Sequence, residues 1–349
     1  LKFQSCFSDP LGKKKLYSLF GRCKLRFNNQ PFEMIKVTDL KIHYGDHVAV
    51  DQLSFSVPSG TVYGLIGPNG AGKTTTIKAI ATLLEPTFGE IFVDGIPLLH
   101  QPEEARKHLG YMPDFPPVYD ELRVDEFCDL FAHAYGLNRT QRKQKVEQCL
   151  HLTDLQKNAS AKCKTLSRGM KQRALLAKTL VHDPSVLLLD EPAANLDPKA
   201  RIDLRNLLRR LASSGKTILV SSHILSELED LCDSIGIMNH GSMELSGSIE
   251  EVSASASPSR MIQLEVVNHF PMLSEIFSQF PEITQHAQLD DSARYFELTH
   301  TGDSENAAAI LSKLIESGAQ VSNFHLKQSK MEDLFLEVEA GRIKKGKNP

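Results

Sequence analysis

Val62-Tyr63-Gly64-Leu65-Ile66-Gly67-Pro68-Asn69-Gly70-Ala71-Gly72-Lys73-Thr74-Thr75 is the stretch on which the fold turns. Its first five residues make an apolar run of the length expected for a buried strand. The run leads into the pattern G-x-x-x-x-G-K-[ST], here residues 67–74, and then into a helical sequence. Phosphate oxygens approach a backbone closely only where no Cβ intervenes, and a tight loop also needs positive φ; glycine satisfies both. Consecutive inward-facing N–H groups and the positive end of the following helix then form an anion cradle. The residues expected to line it are Gly67, Pro68, Asn69, Gly70, Ala71, Gly72, Lys73, Thr74 and Thr75. Lys73 is expected to bridge the β- and γ-phosphates of a nucleotide, and the Thr74 hydroxyl to ligate Mg²⁺.

A second site follows from Ser185-Val186-Leu187-Leu188-Leu189-Asp190-Glu191-Pro192, an apolar strand that ends in two acids. Ligands of open α/β sheets bind at the C-terminal ends of the strands. Asp190 is therefore assigned to Mg²⁺, through water. Glu191 is one residue further on, and alternation along an extended chain sends its side chain the other way. There it is expected to orient and polarise an attacking water as general base.

Outward from these motifs, residues 34–251 read as α/β. Thr217-Ile218-Leu219-Val220 is a further buried strand, Ile35-Lys36-Val37 the first strand, and residues 173–181 and 201–211 are helical. A polar, helix-prone block at about 115–165 interrupts the alternation as an inserted helical subdomain. Residues 252–259, Val-Ser-Ala-Ser-Ala-Ser-Pro-Ser, form a Ser-rich linker. Beyond it, residues 260–340 read as a small α+β accessory domain with strands at 261–267, 294–299 and 320–326 and helices at 271–280, 304–317 and 330–339. The flanks are basic: residues 1–33, carrying Lys13, Lys14, Lys15, Arg22, Lys24 and Arg26, are expected to be a disordered tail or to precede the true start near Met34, and residues 341–349 form a second basic tail.

Composition removes several function classes. A formal net charge of −3 gives no electrostatic footprint for nucleic acid, so no nucleic-acid partner is expected. No run approaches 18 uninterrupted apolar residues, so another chain must supply any membrane-spanning part. Cys6, Cys23, Cys128, Cys149, Cys163 and Cys232 include no Cys-x-x-Cys pair, which argues against a zinc site or a disulfide framework.

A phosphate loop and an acidic strand define only the broad P-loop class. Leu166-Ser167-Arg168-Gly169-Met170-Lys171-Gln172-Arg173, just before the acidic strand, narrows it. The segment resembles the ABC signature Leu-Ser-Gly-Gly-Gln: a serine and a glycine at a helix N-terminus, hence a second anion site. The resemblance covers residues 34–251 and brings further motifs in family order. Tyr44 is similar to the aromatic that stacks on adenine. Asn195-Leu196-Asp197 resembles the D-loop, whose Asp197 is implied to cross a dimer interface. His223 in Ser221-Ser222-His223 resembles the switch histidine at the γ-phosphate. Lys330-Met331-Glu332-Asp333-Leu334-Phe335-Leu336 resembles the tail domain of drug- and sodium-exporting members.

The resemblance implies a P-loop ABC nucleotide-binding domain with an inserted helical subdomain, followed by the small α+β domain. It implies an ATPase using ATP and Mg²⁺, in which Ser167 and Gly169 of a second copy cap the nucleotide head to tail. It also implies separate transmembrane permease subunits, export as the direction, and a cytoplasmic position on the inner face of the plasma membrane. Two departures stand out. Asp114 occupies the place of the family's Q-loop glutamine, where its shorter carboxylate is still expected to reach Mg²⁺ or the water. Arg168 and Met170 replace a glycine and a glutamine of the signature, while Ser167 and Gly169 are kept. A ribosome- or DNA-directed ABC ATPase would carry two cassettes or a long coiled coil, and a small-molecule kinase would need a lid in place of the signature.

Overall fold

The computed structural model describes residues 32–114, 118–255, 260–267, 273–288, 294–302 and 304–327. The tails expected at 1–33 and 341–349 therefore lie outside the described residues, apart from the last two of the first. So do the helix expected at 330–339 and the tail-domain motif within it.

Two sheets share the nucleotide-binding part. A four-stranded antiparallel sheet has the order β2-β1-β4-β5, with β1 Glu33–Tyr44, β2 His47–Pro58, β4 Phe88–Val93 and β5 Ile96–Pro97. A six-stranded sheet has the order β10-β9-β3-β8-β7-β6, with β3 Val62–Ile66, β6 Leu109–Met112, β7 Val186–Leu189, β8 Thr217–Ser222, β9 Ser234–Asn239 and β10 Ser242–Ser248. All its pairings are parallel except β10 on β9.

The apolar runs are continuous because the parallel strands are covered on both faces. In β7, Leu187 and Leu189 belong to one core and Val186 and Leu188 to the other. In β8, Ile218 and Val220 face the first core and Leu219 the second. The second core lies between the two sheets and takes in Ile77 and Ile80 of the helix α1, Lys73–Ile80, which follows the phosphate loop.

Helix α2, Pro102–His108, precedes β6. The first core includes the helical block, with α3 Val124–Ala134 and α4 Arg139–Leu152 joined to the signature helix α5, Arg168–Leu180. Each inserted helix starts on a local signal. The Glu126 carboxylate accepts from Arg123 N at 2.9 Å, and the Asn138 side chain accepts from Thr140 N and Gln141 N while Gln141 closes a capping box. The fully buried Phe127 meets Tyr119 and Phe131 edge-on, with centroids 5.9 and 5.3 Å away. Helix α6, Pro198–Ser213, follows the acidic strand and is capped by Asp197.

Three expectations need correction. The stretch read as linker from Val252 begins inside a helix, α7 Ile249–Ser255, and Val252 is buried in the first core. Serine and alanine repeat there, but one valine at the right turn is enough to dock it; residues 256–259 lie outside the described residues. The strand expected at Ile35-Lys36-Val37 is there but lies within a longer one of twelve residues, Glu33–Tyr44.

The third correction lies in the C-terminal part, which has one strand more than was read. It runs β11 Arg260–Val266, α8 Leu273–Phe277, β12 Ile283–Gln288, β13 Tyr295–His300, α9 Ser304–Glu316 and β14 Val321–Lys327, in the sheet order β12-β13-β11-β14 with antiparallel neighbours. This is a split βαβ arrangement. β12, Ile-Thr-Gln-His-Ala-Gln, escaped because it is a polar edge strand with little apolar alternation.

Phe127→Ala is expected to destabilise the nucleotide-binding part by about 3–5 kcal/mol, read from the urea midpoint at constant slope. A loss under about 1 kcal/mol would show that the ring is not held in a rigid core.

Candidate active site

The phosphate loop lies between β3 and α1, and two of its glycines are sterically required. Gly72 has φ +101°, and a Cβ built on it would stand 2.6 Å from the Ala49 carbonyl oxygen. A Cβ on Gly67 would come within 2.4 Å of the Met238 carbonyl oxygen. Lys73, 5% exposed, curls back over the loop: its Nζ donates to Gly67 O at 2.7 Å and Pro68 O at 3.1 Å. The same ammonium is 3.6 Å from Glu191 Oε1. Burial pulls the Lys73 pKa down, against the charges of Glu191 and Asp190, which push it up.

Asp190 is almost wholly buried at the end of β7, and its Oδ1 accepts from Thr74 Oγ1 at 3.0 Å and Ser221 Oγ at 2.7 Å. Strand alternation does not explain Glu191. β7 ends at Leu189, and Glu191 has φ +47°, a left-handed conformation that costs a non-glycine residue about 1–2 kcal/mol. The turn, and not the pleat, aims its carboxylate at Lys73. On its other oxygen, Oε2, it accepts from His223 Nδ1 at 2.9 Å; a carboxylate can only accept, which fixes the ring's role.

A cavity of about 490 Å³ gathers Asn69, Gly70, Ala71, Gly72, Lys73, Thr74 and Thr75 with Glu191, His223, Asp114 and Tyr44. Tyr44, half exposed, reaches it from the β1–β2 hairpin. Gly67 and Pro68 stand behind it as the acceptors of Lys73, and Asp190 is one hydrogen bond behind Thr74. Asp114 lies just past β6, the strand that pairs with β7. Burial raises its pKa first, and the carboxylates of Asp190 and Glu191 add to the rise. Its Oδ1 is buried with no hydrogen-bond partner among the described residues.

Ser167, Gly169 and Asp197 lie elsewhere, around a second cavity of about 260 Å³. Ser167 caps α5, its hydroxyl oxygen accepting from Met170 N at 3.3 Å, so its O–H remains available to donate. Gly169 lets α5 approach the start of α6: a Cβ there would be 3.1 Å from that of Ala200. Asp197 Oδ1 accepts from Ala200 N at 2.9 Å.

The donor set suits Mg²⁺. Thr74 Oγ1, Asp190 and the uncommitted Asp114 oxygen are hard oxygen ligands, and Mg²⁺ is commonly held by one or two carboxylates plus substrate phosphates. No group of three or more His, Cys, Asp or Glu forms a metal cage among the described residues.

Sequence reasoning missed several contributors. His47 and Ala49 line the large cavity, and His47 pairs with Tyr44 across the two-residue turn Gly45-Asp46. That turn was a readable hairpin signal. Ser221, which links the two acids, and Gln172, whose Nε2 donates to Pro192 O at 2.6 Å, carry no signal of their own.

A parallel sheet whose strand ends gather a phosphate loop, two acids and a histidine, with a helical block inserted before the signature helix, is the P-loop ABC nucleotide-binding fold. Residues 50–194 match the family model described as ABC transporter. The chain is 32% identical over 305 residues to the uncharacterized ABC transporter ATP-binding protein YxlF of Bacillus subtilis (strain 168), covering 87% of this chain and 99% of the relative. It is 41% identical over 207 residues to a Nod factor export ATP-binding protein I of Burkholderia orbicola (strain AU 1054), covering 59% of this chain and 68% of the relative. A solved structure of an ATP-binding subunit of an ABC transporter aligns with TM-score 0.57 and 33% identity, over 64% of this chain and 92% of that one.

The chain belongs to the family of ABC transporter ATP-binding subunits and is an ABC-type ATPase. Such a subunit acts with a dimer partner and a membrane permease. No helix among the described residues is long and apolar enough to cross a membrane.

Gly72→Ala is expected to weaken ATP binding at least about tenfold, since a Cβ must displace the Ala49 carbonyl or the loop itself. Titration with a fluorescent ATP analogue checks this, and unchanged affinity would mean that the loop does not need the left-handed turn.

Proposed function

We propose that the large cavity takes ATP, with the adenine against Tyr44 and the phosphates on residues 67–75, and that Ser167 and Gly169 of a second, head-to-tail copy cap the γ-phosphate. The observation that carries this reading is the separation of the two anion-binding helix starts. Lys73 and Ser167 line different cavities of one chain, so a triphosphate on the loop lacks a cap from the same polypeptide. Two copies related by a two-fold axis supply it twice. Asp197, beside Ser167, is then positioned to meet the other copy.

Glu191 holds and polarises the attacking water as general base, and His223 keeps its carboxylate oriented while facing the γ-phosphate. Lys73 leaves the Gly67 and Pro68 carbonyls for the phosphate oxygens and balances their growing charge. Thr74, Asp190 and Asp114 would hold Mg²⁺, Asp190 through water. Bound there, the metal would supply positive charge to offset that of the phosphates. Closure follows from contacts both copies make to the γ-phosphate, and hydrolysis removes them.

The helical block, residues 115–165, passes the movement to separate permease subunits, with the chain peripheral on the cytoplasmic face of the membrane. Export is the direction favoured. The similarity to a Nod factor export protein supports it, as does 34% identity over 258 residues, 73% of this chain and 44% of the relative, to the probable multidrug ABC transporter ATP-binding protein YbhF of Escherichia coli (strain K12).

Glu191→Gln is expected to bind ATP with near-normal affinity, to lower kcat at least about a hundredfold, and to accumulate as an ATP-bound dimer on size exclusion. Undiminished turnover would remove Glu191 from the role of base.

A further inference from the structure

Between Asp190 and Glu191 stands one side chain that the catalytic assignments leave out. Ser221, fully buried in β8, donates from Oγ to Asp190 Oδ1 at 2.7 Å and accepts from Glu191 N at 2.9 Å. The direction of both bonds is forced. An ionised carboxylate has only lone pairs and a backbone N–H only a proton, so the single O–H must go to Asp190 and a lone pair to Glu191. Parallel register explains the meeting. Leu189 pairs with Val220, so the residues that follow each of them, Asp190 and Ser221, come side by side where β7 turns away.

We propose that Ser221 is a positioning residue for ATP hydrolysis, its one hydroxyl fixing the metal-side carboxylate of Asp190 and the left-handed backbone of Glu191 in register with each other. The inference rests on the reading of Glu191 as base. The Glu191 peptide has φ +47°, which an isolated glutamate avoids, and Ser221 ties its N–H to the strand that also carries His223 at its end. From the opposite side, Gln172 of the signature helix holds the next carbonyl, that of Pro192, at 2.6 Å. The turn is thus pinned at both ends, and only the Ser221 pin also touches Asp190.

The test compares Ser221→Thr with Ser221→Val, which share a shape and differ in the hydroxyl, alongside Ser221→Ala. Steady-state ATPase kinetics of the full chain give kcat and KM separately. Val and Ala are expected to lower kcat about tenfold with KM for ATP within about twofold, while Thr stays within about threefold of wild type. In a Glu191→Gln background, Ser221→Ala is expected to add little further loss, because both changes strike one function. Val as active as Thr, or Thr as impaired as Val, would overturn the proposal, the first by removing the hydroxyl from any role and the second by making volume the cause. Should Val fail to fold, Ala against Thr is judged by the same criterion. Normal turnover in Glu191→Gln alone would instead sink the reading of Glu191 as base, so the two failures are distinguishable.

Discussion

Two adjacent carboxylates repel each other, and the structure is organised around holding Asp190 and Glu191 side by side at the end of β7. Asp190 is buried under two hydroxyl donors, Thr74 and Ser221. Glu191 is turned out by a left-handed backbone toward Lys73 and His223. Thr74 and Lys73 come from the helix after the phosphate loop, Ser221 from the strand β8, and His223 from just past the end of that strand. The six-stranded sheet brings them together because β3, β8 and β7 are neighbours in parallel register. Their apolar side chains, buried on both faces, keep the strand ends fixed to within the reach of a hydrogen bond.

That sheet was legible because its strands are short unbroken apolar runs, and so were the two motifs at its edge. Less legible was anything set by tertiary contact. Glu191 was read by alternation along a strand, yet the strand stops at Leu189 and a turn sets the aim. Ser221 looks like one of two serines before a histidine, and only the register of β8 against β7 makes it the link. The antiparallel sheet of β1, β2, β4 and β5 was not separated from the α/β core, since its half-buried alternation gives no sign of where the strands pair. β12 was missed as an edge strand, and the presumed linker was partly helix because Val252 docks. Tyr44 was identified by resemblance, whereas His47 beside it needed only the hairpin turn to be taken seriously.

The two cavities have complementary parts. One gathers Lys73, Thr74, Asp114 and Glu191, the set proposed to act on a nucleoside triphosphate. The other has a capped helix start with a free hydroxyl hydrogen and a close-packed glycine, but is lined by neither Lys73 nor Glu191. Asn195 lines the first cavity and Asp197 the second, so a segment of only three residues connects them. A movement at one site therefore has a short covalent path to the other.

On the head-to-tail arrangement proposed above, each triphosphate pocket is finished by another copy of the chain. Specific ATPase activity measured across a dilution series, with the oligomeric state followed by light scattering, tests it most directly. Activity per chain should fall on dilution in step with the loss of dimer. Constant activity per chain in a solution shown to be monomeric throughout would contradict it.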